Sequence, residues 1–156
     1  MYATNPPFLV QAEAEKALHD RLGNVEAVHA PLAEVDIEAS PDAAVTALNL
    51  HDLYNGYRDQ PGSEATAVDF LKAINAALKP GGVLGVIDHV GIAGQDNAAL
   101  HRMQLQQPRD VLTKAGFTIE AESSILANPA DDHTKIVVDP SIRSKTDQFL
   151  IRARKP

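Results

Sequence analysis

Three pairs of neighbouring histidine and aspartate residues, His51 with Asp52, Asp88 with His89, and Asp132 with His133, carry most of the chemistry this sequence offers. An imidazole beside a carboxylate makes a general base near neutral pH, able to take a proton from a hydroxyl or an amine. His51 and His89 are the candidate bases, with Asp88 beside them as the third candidate catalytic residue. Bonding strand-end amides or solvent is the other reading for any single pair, and it stays open. The same groups suit a divalent ion held from several loops. No His-x-x-x-His or comparable spacing marks such a site, so no metal is expected. His101 reads as a partly exposed residue and His19 as one on a helix face. Tyr54 and Tyr57 either wall a pocket or anchor their loop. Lys135, Arg143 and Lys145 either hold a substrate carboxylate or form a solvated loop. The small-residue loop Gly91, Ile92, Ala93 and Gly94 lacks the following helix and lysine of a phosphate cradle.

Such residues work only if the chain gathers them, and the segments that would do so alternate between helix and strand, the mark of the α/β class. Phe8 to Leu22 predicts a helix, with Leu9, Ala12, Lys16 and His19 spaced by three or four and Gly23 plus Asn24 closing it. Val25 to Ala30 alternates as a strand until Pro31. Ala43 to Leu50 is a nearly continuous apolar run, which suits a strand buried on both faces of a parallel sheet. Ser63 can cap a helix over Glu64 to Leu78 whose buried stripe is Val68, Leu71, Ile74 and Leu78. Lys79, Pro80, Gly81 and Gly82 stop it: a cation meets the helix C-terminus, proline cannot continue, and two glycines permit positive φ. Val83 to Asp88 then runs back as a strand. Ala98 to Gln106 and Pro108 to Ala115 predict short helices, and Phe117 to Leu126 and Gln148 to Arg154 predict strands. Between those last two lies a long loop, Ala127 to Asp147, of a length that is usually functional or disordered. In an open parallel sheet, ligands bind beyond the carboxyl ends of the strands, where the histidines and aspartates should collect.

The chain has the size of one domain at 156 residues. With 14 Lys plus Arg against 21 Asp plus Glu, its net charge of -7 repels phosphate backbones and anionic membranes, so neither nucleic acid nor membrane is an expected partner. The absence of cysteine excludes a disulfide framework, a thiolate metal site and a cysteine nucleophile. No apolar stretch approaches the roughly 20 residues that span a bilayer, and a cytoplasmic location is expected.

The segment Phe70-Leu71-Lys72-Ala73-Ile74-Asn75-Ala76-Ala77-Leu78-Lys79-Pro80-Gly81-Gly82-Val83-Leu84-Gly85-Val86-Ile87-Asp88-His89 resembles the stretch of class I S-adenosylmethionine-dependent methyltransferases in which a helix ends in Leu-Lys-Pro-Gly-Gly and feeds the fifth strand. Asn49 to Asn55, Asn128 to Lys135 and Thr146 to Pro156 resemble a bacterial family described as predicted methyltransferases. The resemblance implies an incomplete Rossmann-like sheet, mostly parallel with an antiparallel last strand, in a single truncated domain over residues 1–156. It implies S-adenosylmethionine as cofactor and a small molecule as methyl acceptor.

Family members begin with a strand and a Gly-x-Gly-x-Gly-like turn at the cofactor. This sequence has no such turn, and Met1 to Pro6 resembles the tail of the second strand. By position in the family's pattern, Asn5, His29 and Asn49 are the candidate cofactor contacts. Asp52, Tyr54, Asn55, Asp132 and His133 are the candidate substrate contacts. The family's strand order implies that loss of the first strand leaves two open edges, closed either by joining the strands at Val25 and Ala43 or by a strand from another molecule. A homo-oligomer or a complementing chain is therefore expected. Two further readings stay open: a degenerate methyltransferase fold serving as a non-catalytic binding or oligomerisation module, and a metal-dependent hydrolase built on the three pairs.

Overall fold

Alternating burial along Val83–Gly91 makes this nine-residue strand the spine of the main sheet, with Leu84, Val86 and Asp88 turned to one buried face. The computed structural model describes residues 2–3, 20–24, 26–27 and 41–156, which fall into two compact units, 1–38 and 39–156. In the first unit, strand β1 (Tyr2–Ala3) pairs in parallel with β2 (Glu26–Ala27). Asp20 and Arg21 are helical and Gly23 with Asn24 forms a turn, at the end of the predicted first helix. The rest of that helix, with His19, lies outside the described residues, as do Asn5 and His29.

The second unit runs β3 (Ala43–Ala47), helix α1 (Leu50–Asn55), a small hairpin of β4 (Gly56–Tyr57) and β5 (Gln60–Pro61), α2 (Glu64–Ala77), β6 (Val83–Gly91), β7 (Met103–Gln104), α3 (Gln106–Lys114), β8 (Thr118–Ser123) and β9 (Gln148–Arg154). The main sheet has the order β3-β6-β9-β8, with β7 pairing in parallel to the far end of β6. β3 lies parallel to β6, with Ala47 opposite Ile87. β9 is antiparallel to both β6 and β8, so β8 runs in the direction of β6. This is the mixed α/β sheet that the sequence predicts, antiparallel last strand included.

Local chemistry explains the elements. The Ser63 hydroxyl accepts the Thr66 amide at 3.0 Å and starts α2, whose Ala67, Val68, Leu71 and Ile74 are buried as it packs against α1 and α3. Fully burying a leucine or isoleucine here contributes on the order of 1.5–3 kcal/mol. The cation at the end of α2 is Lys155, whose Nζ donates to the Leu78 carbonyl at 2.7 Å, while Lys79 bonds Asp42 instead. Of the two glycines that follow, only Gly81 has positive φ, at 76°. Gly82 is needed for space, since a Cβ there would stand 2.8 Å from the Lys79 carbonyl.

Three predictions are corrected. The strand at Ala43 stops at Ala47, because Leu48 takes φ 57° and Leu50 opens α1. It is not buried on both faces: Val45 is 72% exposed, and among the described residues β3 pairs with β6 alone. The predicted helix at Ala98 to Gln106 is a run of turns followed by the short strand β7.

Candidate active site at the strand ends

Asp88, near the carboxyl end of β6, has no exposed surface and accepts three hydrogen bonds. Its Oδ1 receives His51 Nδ1 at 2.6 Å and the His89 amide at 2.7 Å, and its Oδ2 receives the His51 amide at 2.9 Å. The last bond fastens the first turn of α1 to the spine of the sheet, which brings His51 from the end of β3 onto the end of β6. His51 is buried, and its Nε2 lies 3.1 Å from Asp52 Oδ1. The same Asp52 oxygen lies 2.7 Å from His101 Nδ1. The His51 ring stands 5.5 Å from that of His89 and 5.6 Å from that of His101, the latter edge-on.

Charge is distributed unevenly over these imidazoles. Burial alone would strip the proton from His51, but hydrogen bonds to Asp52 and Asp88 and the charges of both carboxylates outweigh it and raise its pKa to about 9. Burial prevails at His89 and lowers its pKa to about 4. Burial also pushes Asp52 upward, and its bonds to His51 and His101 overcome that and hold it below the ordinary carboxylate range. His89 Nδ1 pairs with Thr146 Oγ1 at 2.8 Å, which ties it to the end of the long loop.

The first predicted pair meets in space through His51 Nε2 and Asp52, and further partners join these groups. His51 joins the aspartate of the second pair, Asp52 reaches His101, and His89 turns to Thr146. His133 pairs with Asp147 at 2.9 Å. Asp132 is exposed and caps its own turn through Thr134. Asn49 accepts the Thr46 hydroxyl at 2.6 Å through its Oδ1, and Asn55 donates to the Arg102 carbonyl at 2.9 Å. Tyr57 packs edge-on against His101 at 5.6 Å, so it lies closer to the cluster than the sequence implied, whereas Tyr54 is half-buried on α1. Lys135 bonds Ser141, and Arg143 and Lys145 are exposed.

Sequence reasoning missed His101, Thr146 and a buried ion pair. Arg102 and Asp131, both without exposed surface, form two parallel bonds of 2.9 and 3.0 Å. Arg102 also donates to the carbonyls of Val90 and Lys135, and Asp131 accepts the amides of His133 and Asp147. The pair fastens the start of the 127–147 loop to the segment after β6. A Cβ on Gly91 would stand 2.2 Å from Asn97 Oδ1, so Gly91 serves close packing, whereas Gly94 has open space and a positive φ of 85°. No local signal could have announced the Arg102–Asp131 pair, because it joins residues 29 positions apart in the chain. Beside the cluster lies an open cleft of about 590 Å³ whose wall includes Asn55, Gly56, Gln60, Ala98 and His101.

No protein-family model matches the chain, and no curated protein matches it. Solved structures do. It superimposes on a [4+2]-cyclase, SpnF, with a TM-score of 0.69 at 20% identity, over 99% of this chain and 65% of that one. It superimposes on the Burkholderia thailandensis 1,6-didemethyltoxoflavin-N1-methyltransferase, solved with 1,6-didemethyltoxoflavin and S-adenosylhomocysteine, with a TM-score of 0.63 at 21% identity, over 99% and 60%. The N-methyltransferase NodS from Bradyrhizobium japonicum WM9 gives 0.61 at 15% identity, over 99% and 72%. The chain therefore spans less than two thirds of the first two of these proteins, and it has the fold of the class I S-adenosylmethionine-dependent methyltransferases.

Proposed function

We propose that this chain is an S-adenosylmethionine-dependent methyltransferase-like protein acting on a small molecule. The observation that carries the reading is the convergence of His51, Asp88 and His89 on the carboxyl ends of β3 and β6, where sheets of this kind bind ligands. In it, residues 1–156 belong to one methyltransferase-like domain of the bacterial predicted-methyltransferase family, working in the cytoplasm. S-adenosylmethionine, when bound, supplies the methyl group. The chain's own part is to position the acceptor and take its proton. His89 is the better base, because Thr146 engages one of its ring nitrogens while carboxylates engage both of those of His51. Asp88 fixes both histidines. Asp52, Tyr54, Asn55, Asp132 and His133 are assigned to the acceptor.

Of the proposed cofactor contacts Asn5, His29 and Asn49, only Asn49 is among the described residues, and Thr46 already occupies its Oδ1. The exposed Val45 on β3, which among the described residues pairs with β6 alone, favours a second reading: a non-catalytic binding or oligomerisation module on the same fold, paired across the β3 edge with a second copy or a complementing chain. A calorimetric titration of the chain with S-adenosylmethionine and its demethylated product, at a known oligomeric state, separates the two. Saturable binding of either supports the enzyme. Its absence leaves the module.

A further inference from the structure

We propose that His51, Asp52 and His101 form a binding site for one zinc-class divalent cation beside the cleft at α1. Each offers a donor atom, and the three donors lie within 4.8 Å of one another. The Asp52 oxygen is 3.1 Å from His51 Nε2 and 2.7 Å from His101 Nδ1. Tetrahedral zinc with imidazole and carboxylate ligands sets donors about 3.3 Å apart, so small side-chain adjustments seat an ion between them. Three protein donors with one position left open is the ligand count of catalytic rather than structural zinc.

The surroundings are those a ligand set requires. Asp88 takes the Nδ1 proton of His51, which fixes the ring and presents Nε2 to Asp52, the carboxylate–histidine arrangement that orients metal-bound imidazoles. Asp88 is itself held by two backbone amides and has no exposed surface. Two carboxylates, Asp52 and Asp88, bracket one imidazole and favour positive charge between them. His101 occupies the left-handed region at φ 55°, uncommon for a residue with a side chain, and this turn delivers its ring to Asp52 against the edge of Tyr57. His101 also lines the open cleft, which gives an ion there access to solvent and to a ligand.

The site shares His51, Asp52 and Asp88 with the residues assigned to the methyltransferase reading, but its test needs no activity and its outcome does not depend on that reading. The chain, freed of metal with a chelator, is titrated calorimetrically with zinc chloride, then loaded with cobalt(II) chloride for visible spectroscopy. The expected result is one zinc per chain and the visible absorption of four-coordinate cobalt. His101→Gly keeps the left-handed turn comfortable while deleting a ligand, and it lowers zinc affinity by at least roughly tenfold. Asp88→Asn lowers it by about 10–100-fold through loss of orientation, provided circular dichroism shows the fold intact. Absence of saturable zinc binding by the unaltered chain overturns the proposal, and so does a His101→Gly variant that binds as tightly as the parent.

Discussion

Arg102–Asp131 and His51–Asp88 are both buried pairs between residues far apart in the chain, yet they are finished differently. In the first, the guanidinium donates to a carboxylate and two carbonyls, and the carboxylate accepts two amides besides, so a fixed cation and a fixed anion close on each other. In the second, three imidazoles and two carboxylates share a few protons beside an open cleft. A closed pair holds the 127–147 loop in place. A cluster with protons to redistribute can do chemistry or take a ligand.

The contrast is broken most severely by Asp131→Ala. It strands a buried guanidinium, and removing one partner of a buried pair typically costs about 3–5 kcal/mol. Urea unfolding should show a loss of that order. Acid offers a milder way to the same end. Burial pushes Asp131 up, but the Arg102 guanidinium and the amides of Asp147 and His133 outweigh it and hold its pKa below the ordinary 3.8. Its folded value being depressed, its contribution is complete above that pH and is lost as pH falls through the folded value. Stability measured from pH 5 downward should therefore fall less steeply in Asp131→Asn than in the parent.

Asp88→Asn sharpens the comparison from the other side. It keeps the volume and loses the charge-assisted bond to His51, an effect of roughly 1.5–3 kcal/mol. Because neither Arg102 nor Asp131 bonds Asp88, the double variant with Asp131→Ala should be additive within about 0.5 kcal/mol. Strong coupling would mean that the two clusters act as one network.

Much of this was readable from the chain. Ser63, the stripe at Val68, Leu71 and Ile74, and the alternation of Gln148–Arg154 depend on neighbours in sequence, and they appear where expected. His51, Asp88 and His89 were recognisable as a strand-end set for the same reason, whereas Asp132 and His133 bond within their own loop. Beyond His51–Asp52 the pairing was not recognisable, because the bonds His51–Asp88, Asp52–His101 and His89–Thr146 join residues 37, 49 and 57 positions apart in the chain. His101 read as partly exposed, which it is, but its contact with Asp52 depends on a left-handed turn that no residue type there announces. Val45 misled in the opposite way: an apolar run records what a strand is suited to pack against, not whether that partner is present.

Val45 also carries the smallest expected effect on stability. At 72% exposure on β3, its replacement by lysine removes little buried apolar surface, so unfolding of the isolated chain should shift by no more than about 0.5 kcal/mol. The same lysine sets a charge on β3, which among the described residues pairs with β6 alone, and such charge is the device by which natural sheets refuse edge-to-edge pairing. If β3 pairs with a second copy or a complementing chain, Val45→Lys should disperse the assembly in a sedimentation experiment while leaving the monomer's stability and His51–Asp88 unmoved. An assembly that survives the lysine would remove β3 as its seam. A monomer destabilised well beyond that figure would show that Val45 is covered within the chain.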